Sequence, residues 1–133
     1  MTKLQAQYDD LRKALERLKE ASALPSSVVI NQDATIQRFE FTFELCWKTL
    51  QTIVAANIKD VYGPKNVFRE AAKLGYIDNP LQWFQFLKAR NLTVHTYKEP
   101  IAQKVYRKAT EFIPEVEKLL AVVKKHLDED PTL

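Results

Sequence analysis

Arg90, His95 and Tyr97 are the residues of this chain whose types and spacing suit chemistry on phosphate. They lie in Lys88-Ala89-Arg90-Asn91-Leu92-Thr93-Val94-His95-Thr96-Tyr97. A guanidinium stays charged and offers a planar fork to phosphate oxygens, an imidazole is the side chain that exchanges protons near neutrality, and a phenol brings a hydroxyl. Spacing by itself decides little. Arg90 can equally complement the dipole at a helix C-terminus, His95 can rest on a backbone carbonyl, and Tyr97 can be a half-buried amphipathic ring.

The elements that must position these residues are helical. Only two glycines occur in 133 residues, which disfavours glycine-rich phosphate loops and architectures built on tight hairpins. Leu4, Tyr8, Leu11, Leu15 and Leu18 step by four and three, predicting a helix from about Lys3 to Ala23. Pro25 and Ser26-Ser27 break it, and Val28-Val29-Ile30 is apolar enough to be expected back against the bundle. A second helix is expected to start after Asn31 or Asp33 and to reach about Asn57. Its stripe of Ile36, Phe39, Phe43, Cys46 or Trp47, Leu50 and Ile53 or Val54, with Phe41 and Leu45 on another side, marks it as central. Glu40, Glu44 and Lys48 line up on one face; the expectation there is a solvated strip with a Glu44–Lys48 pair worth about 0.3–0.5 kcal/mol.

Gly63-Pro64 opens a third helix that Gly75 stops, with Val67, Ala71 and Leu74 inward. Asn79-Pro80 opens a fourth, rich in aromatics, ending near Arg90–Asn91. The last begins between Thr96 and Pro100, where Thr96 and Glu99 have capping-box spacing and Pro100 also suits a first turn, and Pro114 predicts a kink or break within it. The fold expected is all-α, an up-and-down bundle of about five helices. It forms one domain over residues 1–127, followed by a short acidic tail, 128–133.

Several classes of function are disfavoured. No glycine-loop nucleotide motif, His-Glu-x-x-His or di-iron Glu-x-x-His spacing is present, so neither a cofactor nor a metal is expected. Cys46 reads as a buried free thiol and His126 as a partner of a helix dipole. A single cysteine, an N-terminus without an apolar signal core and no apolar run of about 20 residues indicate a cytoplasmic protein away from membranes. The net charge of +3 permits contact with nucleic acid without demanding it, and no dense run of Lys and Arg is visible along the chain.

Context gives the motif its weight. The segment from Arg90 to Tyr97, preceded by Arg38-Phe39-Glu40-Phe41-Thr42-Phe43-Glu44-Leu45-Cys46-Trp47-Lys48-Thr49-Leu50, resembles the nucleotidyltransferase substrate-binding proteins, a branch of the HEPN superfamily. Arg69-Glu70-Ala71-Ala72-Lys73-Leu74-Gly75 is similar to the middle of that family. The likeness extends from about Leu4 to Leu120 and departs at Pro114 and at Lys98-Glu99-Pro100. The resemblance implies a HEPN helical bundle that forms a homodimer, with the Arg-x4-His motifs of both subunits facing each other. It also implies a partner, a minimal nucleotidyltransferase encoded nearby. Many such proteins are metal-independent ribonucleases. In the branch with Arg-x4-His-x-Tyr, the resemblance implies a toxin–antitoxin pair in which the transferase silences the nuclease by adding AMP to the tyrosine.

Carried onto this chain, Arg90 and His95 are the expected catalytic pair acting on tRNA or mRNA. Asn91 and Tyr97 are expected as supporting or substrate contacts, with Tyr97 as the AMP acceptor. The alternative is a non-catalytic subunit that presents substrate to the transferase. The chain is not itself the transferase, since the Gly-Ser loop and paired aspartates of those enzymes are missing.

Overall fold

A computed structural model describes residues 1–133. It contains five α-helices and no strand: α1 Lys3–Ser22, α2 Val29–Asn57, α3 Pro64–Lys73, α4 Pro80–Asn91 and α5 Glu99–Glu129, with a 3-10 turn, Leu92–His95, between the last two. No helix is long and apolar enough to cross a membrane.

Local chemistry accounts for most helix ends. A capping box starts α1: the Thr2 hydroxyl accepts from the Gln5 amide at 3.2 Å, and the Gln5 side chain accepts from the Thr2 amide at 2.9 Å. Asn79 caps α4 by accepting from the Leu81 amide at 3.0 Å, and Pro80 follows in the first turn, where its missing N–H costs nothing. At the end of α3, Gly75 takes φ +87°, and the Tyr76 amide reaches back to the Ala71 carbonyl at 3.0 Å. A residue with a Cβ is strained in that left-handed turn.

One start and one cap differ from the sequence pattern. α2 begins at Val29 with Val28 as an N-cap that has no side-chain bond. The Asn31 side chain instead donates to the Pro25 carbonyl at 3.0 Å, tying the α1–α2 turn to the helix. Val28, Val29 and Ile30 are exposed, Ile30 by 77%, and so do not fold back onto the bundle. α5 begins at Glu99, within the expected Thr96–Pro100 span and with Pro100 in its first turn, but the Thr96 hydroxyl donates to the Thr93 carbonyl at 2.9 Å rather than capping the helix. α5 also runs unbroken through Pro114. Pro114 sits on the exposed side, where water can serve the carbonyl left without its helical N–H. The helix takes in Asp128, whose carboxylate accepts from Lys124 at 2.8 Å.

The core is one cluster of 27 buried side chains drawn from all five helices and the α3–α4 turn. Phe112 of α5 is its hub, with ring centroids 5.0 Å from Phe86, 5.2 Å from Phe39, 5.5 Å from Trp83 and 6.0 Å from Phe43. Phe68 of α3, which the α3 pattern does not single out, is fully buried against Trp83 at 5.5 Å. α2 touches every other helix and the 3-10 turn, the central position its two apolar sides predict. Its start lies beside the start of α5, where Val29 and Gln32 share a cleft with Glu99 and Gln103. Its middle lies beside the end of α4. The connection from Arg90 to Glu99 is therefore laid along α2, which fixes the site.

Candidate functional site

Arg90 stands in the last turn of α4 and reaches across to α2, where a guanidinium nitrogen pairs with a carboxylate oxygen of Glu44. Both side chains are about one third exposed. The second oxygen of Glu44 accepts the indole N–H of Trp47, one turn further on, at 3.3 Å. Arg90 also donates to the Asn91 side-chain oxygen at 3.4 Å. With one edge held this way, the remaining N–H groups of the fork are free for a ligand.

Past Asn91 the backbone tightens into the 3-10 turn. The Thr93 hydroxyl donates to the Arg90 carbonyl at 2.7 Å, the Thr96 hydroxyl to the Thr93 carbonyl at 2.9 Å, and the Lys98 amide to the His95 carbonyl at 3.1 Å. The first of these bonds satisfies a carbonyl that the end of α4 would leave orphaned, and the others do the same for the 3-10 turn that carries His95. His95 is exposed, and neither ring nitrogen has a hydrogen-bond partner within the chain. Its ring meets that of Tyr97 edge-on at 6.3 Å. Tyr97 is 78% exposed, with the Lys98 ammonium 5.8 Å from its ring centroid.

The four residues singled out in the sequence thus fall at one end of α4 as two touching pairs, Arg90 with Asn91 and His95 with Tyr97. No hydrogen bond joins the pairs. The arrangement offers a half-tethered guanidinium, a free imidazole and an accessible phenol along one short stretch of chain. That set can bind an anion and move protons beside it.

Glu44 and Trp47 belong to the same constellation. The expected Glu44–Lys48 pair does not form, because Glu44 turns to Arg90 on another helix. Helical spacing cannot signal such a contact between distant residues; the one hint is that Glu44 lies inside the segment that carries the family resemblance. Elsewhere, Cys46 is fully buried, and burial pushes its thiol well above the usual range. The His126 ring packs against Tyr76 at 4.9 Å. No group of three or more His, Cys, Asp or Glu side chains is placed to hold a metal ion.

Comparison with known proteins matches residues 6–125 to the family described as nucleotidyltransferase substrate binding protein like. A Haemophilus influenzae protein named as a probable ribonuclease, HepT, is 31% identical over 126 residues, covering 88% of this chain and 86% of its own. A crystal structure of a Thermus thermophilus protein superposes with a TM-score of 0.78 at 34% identity, covering 85% of this chain and 98% of that one. A second solved structure, from Haemophilus influenzae, is described as the fold of a substrate-binding domain of a nucleotidyltransferase. It matches with a TM-score of 0.68 at 28% identity, over 91% of this chain and 96% of its own. On its sequence and on its five-helix fold, the chain belongs to the HEPN-like family of nucleotidyltransferase substrate-binding proteins.

Proposed function

We propose that this protein is the ribonuclease subunit of a two-gene toxin–antitoxin pair, acting in the cytoplasm and restrained by AMP transfer to Tyr97. The observation that carries the reading is that a tethered Arg90 ends α4 while a solvent-facing His95 ends the 3-10 turn that follows it. The similarity to a probable ribonuclease supports it.

The chemistry needs no metal. A base takes the proton of a ribose 2′-OH, and the oxygen attacks the adjacent phosphorus. The bond from phosphorus to the 5′-oxygen then breaks, and that oxygen collects a proton from an acid. The products are a 2′,3′-cyclic phosphate and a 5′-hydroxyl. His95 serves as base or acid, and a homodimer supplies two imidazoles so that both roles are filled. Arg90, oriented by Glu44, holds the non-bridging oxygens as negative charge builds on them. Asn91 steadies the guanidinium from the other side.

The partner is a minimal nucleotidyltransferase. On its ATP, the Tyr97 hydroxyl attacks the α-phosphorus, loses its proton and releases pyrophosphate. The new phosphodiester sets a bulky anion beside His95, where substrate phosphate must sit, and so blocks the site without refolding it. The exposure of Tyr97 favours this reading, since an acceptor must reach a second active site.

A second reading is a non-catalytic subunit that presents substrate to the transferase. It is favoured by the lack of any intrachain partner to orient His95. Induced expression separates the two. Toxicity that disappears in His95→Ala and is relieved by the neighbouring transferase, with AMP found on Tyr97 by mass spectrometry and not in Tyr97→Phe, supports the nuclease. A folded, soluble and harmless wild-type protein favours the second reading.

A further inference from the structure

Two grooves flank the exposed face of α4 and share its Gln85–Lys88 strip. One, of about 370 Å³, runs between α3 and α4, with Lys65 and Lys88 on its walls, Phe84 and Leu87 beneath and Asn91 at one end. The other, of about 290 Å³, runs between α4 and α5 and brings Lys104 and Lys108 up to Lys88. Arg69 adds a fifth cation, its guanidinium 5.0 Å from the Phe84 ring centroid, with the Lys65 ammonium 5.7 Å from the same ring.

Lys65, Arg69, Lys88 and Lys104 have no carboxylate within ion-pair distance, while Lys108 pairs with Glu111 at 3.0 Å. Elsewhere on the bundle Lys19, Lys73, Lys118 and Lys124 each hold an acid at 2.8–3.4 Å, while Lys3, Lys13, Lys48, Lys59, Lys98 and Lys125 also lack one. The α4 cations are gathered along two grooves that share Lys88. Positive charge collected by three helices and left uncompensated is an electrostatic footprint, although no run of basic residues exists in the sequence. Asn91 joins this surface to the proposed catalytic group, because it ends the first groove and accepts a hydrogen bond from Arg90.

We infer that this surface is the track for the RNA backbone next to the cleaved bond, with Lys65, Lys88 and Lys104 contacting successive phosphates of a single strand and Phe84 giving a base or ribose an apolar floor. The choice of RNA as the polyanion rests on the ribonuclease reading. Single strands suit the site because a flexible backbone can follow a groove between helices while its bases meet an aromatic ring.

The test is binding of a fluorescently labelled single-stranded RNA to the full chain in a His95→Ala background, followed by anisotropy across a range of salt concentrations. The double variant Lys88→Glu/Lys104→Glu is expected to lose at least ~10-fold in affinity near 0.1 M salt and to show a shallower salt dependence, by ~0.7 in log–log slope per lost contact. A control reversal of Lys3 and Lys125, exposed at the far end of the bundle, is expected to change affinity by less than ~3-fold. Equal losses in the two variants, no loss in either, or no RNA binding by the parent chain would overturn the track. So would a Lys88→Glu/Lys104→Glu protein that binds RNA normally but no longer captures the nucleotidyltransferase, since the surface then serves an acidic protein. The nuclease reading fails separately: wild-type protein that binds RNA through these lysines but never cuts it leaves the track standing and removes the catalytic assignment.

Discussion

Arg90 is held before any ligand arrives. Glu44 takes one edge of the fork and Asn91 another, so the torsional freedom an arginine surrenders on gripping phosphate is already reduced. Glu44→Gln removes the charge that does this holding. Because the pair is about one third exposed, the unfolding free energy is expected to change by no more than about 1 kcal/mol. In the ribonuclease reading, kcat for RNA cleavage falls about 10-fold with KM little altered, the mark of a positioning residue in steady-state kinetics. Arg90→Ala and His95→Ala are expected to cost about 10²–10³-fold in cleavage while leaving melting curves close to wild type; a large drop in Tm would make them structural residues. Cys46 behaves differently. Burial raises its thiol above the ordinary 9.0, so folded and unfolded chains are both protonated below that value, and the group adds no pH dependence there. Above it the unfolded chain binds fewer protons, and stability falls as pH rises. Urea unfolding above pH 9.0 is therefore expected to weaken wild type more steeply than Cys46→Ala. The residue types of the site are legible in sequence. The Glu44–Arg90 bond is not, because it joins residues 46 positions apart on different helices, and charge periodicity within α2 offers Lys48 as a nearer partner.

Among the helices, legibility follows how local the signal is. Asn79-Pro80 and Gly63-Pro64 state a start in adjacent residues, and α4 and α3 begin there. Replacing Asn79 with Ala removes an observed cap and is expected to cost about 1 kcal/mol in urea denaturation. α2 starts ahead of its pattern and α5 lacks its expected Thr96 cap because Asn31 and Thr96 have nearby carbonyls to serve, Pro25 and Thr93 respectively. A polar side chain with two local partners does not announce which it takes. Pro114 predicts an interruption of α5, yet the helix passes through it on the exposed side. Pro114→Ala restores one backbone N–H and is expected to stabilise the chain by about 1–3 kcal/mol, read as a higher urea midpoint at unchanged slope.

For the whole molecule, the all-α bundle is legible because the apolar stripes repeat by three and four along each long helix. Their meeting point is not. Phe112 gathers Phe39, Phe43, Trp83 and Phe86 from two other helices, and Phe112→Ala is expected to cost about 3–5 kcal/mol. The basic surface over α3, α4 and α5 is hidden for the same reason: its lysines are scattered in sequence and meet only when the helices pack. Packing also lays the Arg90–Glu99 connection along α2, and Asn91 links Arg90 to the groove that holds Lys65 and Lys88. Whether that surface cuts RNA is open to one assay. Purified wild-type protein and His95→Ala, both folded, are incubated with 5′-labelled RNA in excess EDTA. We expect wild type to release fragments ending in a 2′,3′-cyclic phosphate and His95→Ala to release them at least ~100-fold more slowly. RNA left intact by wild type, or cut equally by both proteins, would contradict the assignment of Arg90 and His95 as the catalytic pair.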